Sequence, residues 1–205
     1  MTDDLLEMLD WIKEEGCECV AMESTGSYWK PVYNLLELEG IKSLVVNAQH
    51  IKAVPGRKTD VKDSEWIAEL LRYGLLKGSY IPNREQRELK ELIRYRRSMI
   101  EERAREINRM QKVLEGANIK LGSVVSSIDG VSSINMIKAI IEGSEDPAIL
   151  ANMAKGKLRN KIEDLQRALK GLIGNHQKMI LTVMLRHIEY LDKEIEAIDR
   201  EVKER

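Results

Sequence analysis

The feature that most constrains the fold is a stretch from Arg84 to Glu115 that contains neither proline nor glycine. Because those two residues are the strongest helix breakers, the stretch predicts one long helix. Apolar residues recur at every seventh position along it, namely Ile93, Ile100, Ile107 and Leu114. Arg96 and Arg103 occupy intervening positions of that pattern, so the apolar stripe is incomplete. We therefore expect a long amphipathic helix that is coiled-coil-like without being a simple coiled coil.

A second long helix is predicted near the C-terminus, over residues 176–204. Its apolar residues alternate steps of four and three, namely Met184, Ile188, Leu191, Ile195, Ile198 and Val202. That spacing favours packing against another long helix, most simply residues 84–115 in an antiparallel arm. Shorter helices are expected at 132–142, 147–154 and 160–172. Charged residues make up 33% of the chain and aromatic residues 4%, which favours long solvated helices over a large aromatic core.

The first third of the chain has a different pattern, in which helices and strands alternate. We expect a helix at 3–15, a strand at 17–22, a helix capped by Ser27 and ending near 39, a strand at 41–46 and a helix at 60–75. This order is typical of a parallel α/β sheet. Two strands make a marginal sheet, so further strands or a partner are implied. We therefore divide the chain into an α/β domain at 1–82 and a helical arm at 83–205.

Three carboxylates stand where this fold would bring them together. Glu23 follows a predicted strand, and Asp60 and Asp63 lie about 60° apart at the start of a predicted helix. Such a set could bind a divalent cation, as in a two-metal phosphodiester-cleaving site. The other interpretation is structural, because Asp is a preferred N-cap residue and a second acid in the first turn is stabilised by the helix dipole. Glu23 could equally form a surface salt bridge.

Two basic segments are candidates for nucleic-acid contact. The first is a loop whose cations are Lys52, Arg57, Lys58 and Lys62. The second is the predicted long helix, which carries ten Lys or Arg and six Glu between residues 84 and 112, including Arg94, Arg96 and Arg97 around Tyr95. Arginine matches phosphate oxygens, and tyrosine can stack on a base. The alternative is a solvated helix with pairs of opposite charge one turn apart.

Two sequence segments resemble one family. They read VAMESTGSYWKPVY at residues 20–33 and VNAQHIKAVPGRKTDVKDSEW at residues 46–66. Both are similar to bacterial insertion-sequence transposases with a RuvC-like DEDD domain, a family associated with bridge-RNA-guided recombination. The resemblance runs from about residue 5 to the end of the chain.

This resemblance implies an RNase H-like fold in which four acids bind Mg²⁺. By motif, Glu23 corresponds to the second acid, and Asp60 and Asp63 correspond to the third and fourth. The first acid lies on an opening strand that we expect to be missing here, and the family's C-terminal domain with its catalytic serine is expected to be missing too. The chain is thus expected to be a fragment truncated at both ends, inactive alone, with weak or absent Mg²⁺ binding.

The function predicted from these features is that of a transposase or site-specific recombinase fragment that binds DNA and a structured guide RNA. The alternative is a catalytically inactive module that binds nucleic acid or dimerises with an intact transposase. We expect a homo-oligomer formed through the arm. Cys17 and Cys19 are badly placed for a disulfide, and the sequence shows no secretory signal and no membrane-spanning stretch. The prediction is a cytoplasmic protein without membrane contact.

Overall fold

The computed structural model describes residues 1–47 and 60–205, with side chains described for 1–47 and 63–205. These residues form two compact units, Met1–Asn83 and Arg84–Arg205. The first is a small α/β unit and the second is entirely helical. No helix within the described ranges is both long enough and apolar enough to cross a membrane.

The first unit contains the predicted alternation of helices and strands. Its elements are α1 (Thr2–Glu14), β1 (Cys19–Glu23), α2 (Trp29–Leu38), β2 (Lys42–Val46) and α3 (Asp60–Arg72). Gly16 and Gly40 follow α1 and α2 with φ of 63° and 69°, the left-handed conformation that ends many helices. The predicted cap at Ser27 is wrong, because α2 begins two residues later and its N-cap residue, Tyr28, makes no side-chain cap.

The sheet is small, and its two strands are parallel as predicted. Glu23 of β1 stands opposite Val46 of β2, and the Ser24 amide extends the pairing by donating to the Val46 carbonyl oxygen at 2.9 Å. Beyond α3, Gly78 forms an isolated antiparallel bridge with Val46. Apolar side chains of α1, α2 and the sheet region form the first core: Leu9, Ile12 and Leu36, with Met8, Val20, Met22, Val32 and Ile41 around them.

The second unit consists of a pair of long helices and a cluster of short ones. The long helices are α4 (Arg84–Gly116) and α8 (Asn175–Glu204); between them lie α5 (Val131–Ile141), α6 (Pro147–Ala151) and α7 (Ile162–Ala168). We call α4 and α8 the arm and residues 117–174 the head. The head is more than a set of linkers, because its side chains share one large buried core with the ends of α4 and α8 that lie next to it.

The arm helices pack against each other in the predicted antiparallel direction, but only part of the predicted stripe of α4 is covered. Leu114 is buried and Ile107 is half-buried in the core shared with the head, whereas the two isoleucines nearer the start of α4 are not. Ile93 and Ile100 are 47% and 39% exposed. The residues that lie along the contact instead alternate steps of three and four, and they are buried or half-buried: Leu89, Leu92, Arg96, Met99, Arg103, Glu106, Met110 and Val113. The seam therefore includes the charged residues that had been taken as interruptions of it.

Candidate functional site

The candidate acidic site begins at the carboxyl end of β1. Glu23 is the last residue of the strand and its side chain is half-buried. The Thr25 hydroxyl donates a hydrogen bond to Glu23 Oε1, which orients the carboxylate. Strand side chains alternate between faces, so Glu23 points away from the face on which Val20 and Met22 contact the first core. The carboxylate is thus held at the carboxyl end of β1, outside the core that α1 and α2 form.

Helix α3 packs against β1 and brings the second part of the candidate site to that strand. Asp63 lies in its first turn and is half-buried, whereas Leu70 is 2% exposed. Residues seven apart on a helix differ by about 20° around its axis, so Asp63 shares the face that Leu70 buries. Leu70 does not belong to the core that α1 and α2 form, so α3 buries it in a different part of the first unit. Asp63 therefore lies on the packed side of α3.

The third carboxylate, Asp60, is the first residue of α3, but its side chain is outside the described atoms. Among the described side chains, no group of three His, Cys, Asp or Glu residues is arranged to hold a metal ion. Glu23 and Asp63 nonetheless offer the oxygen donors that Mg²⁺ prefers. The helix that carries the two aspartates thus contacts the strand that ends in Glu23, and the assignment of all three as ligands stays a prediction.

The basic loop of the sequence analysis falls largely outside the described residues. Lys52, Arg57 and Lys58 lie in the undescribed segment, and Lys62 lies in α3 at a position where the side chain is not described. Their contact with nucleic acid stays a prediction.

The three arginines of α4 that were candidates for phosphate contact have different surroundings. Arg96 forms a bidentate ion pair with Asp199 of α8: Nε donates to Oδ1, and Nη2 donates to Oδ2 at 3.1 Å. This bond raises the pKa of the Arg96 guanidinium and lowers the pKa of the Asp199 carboxyl. Arg97 is 81% exposed and reaches Glu101 at 3.0 Å on its own helix. Arg94 is exposed and has no ion-pair partner among the described residues.

A second ion-pair group lies one heptad further along α4. Arg103 Nη1 donates to Asp129 of the head at 2.8 Å, and Arg103 Nε donates to Asp192 of α8 at 2.5 Å. These bonds raise the pKa of Arg103, first through Asp192 and then through Asp129. Sequence reasoning missed this group. The available signal was a matching interval, since Arg96 and Arg103 are seven residues apart, as are Asp192 and Asp199.

Comparison with known proteins gives the family. A protein-family model described as Transposase, that of the IS110-type DEDD transposases, matches residues 1–119. No curated protein matches the chain. The matched range includes both units' candidate residues, from Glu23 through α3 to the arginines of α4. The chain belongs to the DEDD transposases of IS110-type insertion sequences.

Proposed function

We propose that the first unit is the RuvC-like, RNase H-like part of a transposase that processes DNA with Mg²⁺, and that Glu23, Asp60 and Asp63 are its metal ligands. The observation that carries this proposal is the packing of α3, which begins at Asp60, against β1, which ends at Glu23. In parallel sheets the carboxyl ends of the strands are the usual place for polar functional groups. Membership of the transposase family supports the same function.

The chemistry available to this site follows from its donors. Carboxylate oxygens are hard ligands, and Mg²⁺ bound by one or two of them retains positions for water and phosphate oxygens. When bound, the ion would supply charge stabilisation at the phosphodiester. The chain's own contribution is to hold the ligands: the Thr25 hydroxyl orients Glu23, and the apolar face of α3 fixes the position of Asp63.

Titration of the full chain with Mg²⁺ or Mn²⁺ tests this assignment. Glu23→Gln and Asp63→Asn should each weaken binding at least about tenfold, because each removes a charged oxygen ligand of a site with few protein ligands. Asp10→Asn, at an exposed carboxylate of α1, is the matched control and should leave the affinity unchanged. Equal affinities for parent, Glu23→Gln and Asp63→Asn would refute the proposed site.

Asp60 needs a separate variant because a helix-capping role predicts some of the same losses. Asp60→Ser retains a side chain that caps helices well but lacks the negative charge. If Asp60 is a metal ligand, the variant should be folded and bind the ion poorly. Unchanged ion binding together with unchanged stability would assign Asp60 to capping alone.

For nucleic acid, we propose that the exposed arginines of α4 contact the phosphates of DNA and of a structured guide RNA. Arg94 and Arg97 are the better-placed residues of the predicted set, since Arg96 is already bound by Asp199. Tyr95 between them is 63% exposed and available for stacking. Arg94→Gln with Arg97→Gln should weaken binding and lower its salt dependence. An unchanged salt dependence would exclude both residues.

The second candidate function is a module that acts through association, either with itself or with an intact transposase. It is favoured by Ile93 and Ile100, which are exposed two turns apart on α4 although both are large and apolar. Ile93→Asp with Ile100→Asp should turn a dimer into a monomer in sedimentation equilibrium, while helix content is retained. A parent chain that sediments as a monomer would rule out self-association through this face.

A further inference from the structure

The head carries a strongly basic segment between residues 155 and 170, formed by the 3-10 helix Gly156–Lys161 and by α7. Its six cations are all exposed: Lys155, Lys157, Arg159, Lys161, Arg167 and Lys170. Glu163 and Asp164 are the acids in the same segment, which leaves an excess of four positive charges. The formal net charge of the whole chain is -1, so this charge is local. The segment also lies outside residues 1–119, the range matched by the family model.

These cations differ from many others of the second unit in lacking carboxylate partners among the described residues. Arginines and lysines of the arm and the rest of the head pair repeatedly with acids, as Arg84 does with Glu88 and Lys138 with Glu189. Within the described part of the chain, none of the six forms an ion pair. Unpaired like charges close together repel one another, so the positive charges themselves do not stabilise the fold. A ligand that supplies negative charge would relieve that repulsion.

Part of the segment lines a groove with polar walls. The groove has a volume of about 510 Å³ and lies between α7 and the 3-10 turn Leu121–Ser123. Its lining residues are Lys120, Ser123, Val124, Lys161, Asp164, Arg167 and Ala168. Lys161 Nζ donates to the Val124 carbonyl oxygen at 3.1 Å, which holds the ammonium group at the rim. Three cations and one hydroxyl thus surround one opening.

The groove is built by a close backbone contact between two segments of the head. The Lys120 amide donates to the Ala168 carbonyl oxygen at 2.8 Å, and the Leu172 amide donates to the Ala117 carbonyl oxygen at 3.0 Å. A Cβ at Gly171 would lie 2.4 Å from the Ala117 carbonyl oxygen, so this position requires glycine. The pairing places Lys120 beside Arg167 and fixes both walls of the groove.

We propose that the basic head surface, defined as the six cations above together with Lys120, binds the phosphodiester backbone of a nucleic acid. Lysine and arginine are the side chains that bind phosphate, and neutralising phosphates releases counterions, which gives affinity without sequence recognition. The groove is large enough for a phosphate group, and the exposed cations on both sides of Lys161 extend the surface along a strand. The proposal adds a second contact to the nucleic-acid function proposed above and does not depend on the carboxylates.

Two acids influence the cations of the groove. Lys120 Nζ is paired with Glu115, and Asp164 lies in the groove without an ion-pair partner among the described residues. The negative charge of Asp164 repels a phosphate placed deep in the groove. A phosphate is therefore expected at the rim, where Lys161 and Arg167 can hold it. Arg167 is the most informative position, because its guanidinium has no described ion pair to break and can bind phosphate by two parallel hydrogen bonds.

The test is binding of the full chain to duplex DNA and to an RNA hairpin over a salt series. The variant Arg159→Gln/Lys161→Gln/Arg167→Gln should bind at least one of these ligands about tenfold more weakly at low salt. The slope of log K against log salt should fall by about 2–3 in magnitude, which corresponds to three lost phosphate contacts on a duplex. Loss for one ligand only identifies the natural backbone as DNA or RNA.

A control with the same charge change is Lys42→Gln/Lys77→Gln/Lys203→Gln, at exposed positions outside the head. It should keep the parent slope. The single variant Arg167→Gln repeats the test with the smallest disturbance, and circular dichroism checks the fold of every variant. The proposal fails if the head variants bind both ligands like the parent, if the control loses as much binding as the head triple variant, or if the parent binds neither ligand. Comparison with Arg94→Gln/Arg97→Gln separates the two surfaces, since loss in that variant alone would leave only the arm contact.

Discussion

At the scale of single residues, Arg103 shows how charged side chains can hold a helix pair together. Its guanidinium lies between Asp129 of the head and Asp192 of α8, with only 26% of the side chain exposed. Each of the three groups loses water in this position, and the hydrogen bonds offset that loss. Since all three groups keep some solvent contact, both the attraction between them and the cost of removing their water are smaller than in a fully buried group.

We expect Arg103→Ala to lower the free energy of unfolding by about 1–3 kcal/mol, because two carboxylates are left facing each other without a cation. Arg97→Ala is the control. That arginine is 81% exposed and paired only within its own helix, so its loss should be within experimental error. Urea unfolding followed by circular dichroism compares the two. Equal effects would show that the contact of Arg103 with two segments adds nothing.

The ion pair between Arg103 and Asp129 predicts that stability depends on pH. The Ser127 hydroxyl and then the Arg103 guanidinium lower the pKa of Asp129 below its ordinary value of 3.8. A carboxyl group with a lowered folded-state pKa contributes its full stability above the ordinary value, and the contribution is lost as pH falls through the lowered one. The difference in unfolding free energy between parent and Arg103→Ala should therefore shrink from pH 5 to pH 2. A constant difference would contradict the proposed link.

At the scale of elements, the arm shows which face of α4 is the contact face. Met99 is 6% exposed and the adjacent Ile100 is 39% exposed. Met99→Ala should cost about 2 kcal/mol of unfolding free energy, because it leaves a cavity against α8. Ile100→Ala should be nearly neutral, because the small loss of burial is offset by the better helix propensity of alanine. Urea unfolding of both variants decides between the faces, and a larger effect at Ile100 would restore the face predicted from the heptads.

At the scale of the whole molecule, the two units differ in the size of the buried core that could stabilise each of them alone. The second has one continuous core that includes Met110, Leu114, Met136, Leu165 and Leu181, all at most 1% exposed. The described core of the first is a small cluster of side chains beside a two-stranded sheet. Burial of apolar area is the main source of stability, and a two-stranded sheet adds little of its own.

We therefore expect a fragment of residues 84–205 to unfold cooperatively in urea. The midpoint of its unfolding should lie close to the midpoint of one unfolding transition of the full chain. A fragment of residues 1–83 should unfold at a much lower urea concentration or be largely unfolded in buffer. Circular dichroism and one-dimensional NMR of both fragments provide the measurement. A stable 1–83 fragment, or a non-cooperative 84–205 fragment, would contradict this division of stability.

Local patterns in the sequence were sufficient for much of the secondary structure. The absence of proline and glycine between Arg84 and Glu115 predicted α4, and the glycines at 16 and 40 predicted the ends of α1 and α2. The parallel pairing of β1 and β2 followed from their alternation with helices. These features depend on backbone preferences of neighbouring residues, which the sequence contains directly. The three carboxylates could be named in the same way, but their joint position depends on packing.

Only the tertiary structure decided which charges are compensated. Arg96 was a candidate for phosphate contact in the sequence and is bound to Asp199 in the fold, whereas the cations of residues 155–170 carry no ion pair among the described residues. The difference arises because partners in the arm are about a hundred residues apart along the chain, and their register is set by helix packing. Ile93 and Ile100 were wrongly expected to be buried for the same reason. Packing against α8 buries neighbouring positions such as Met99 instead, and ion pairs with Asp192 and Asp199 stabilise the charged residues along the contact.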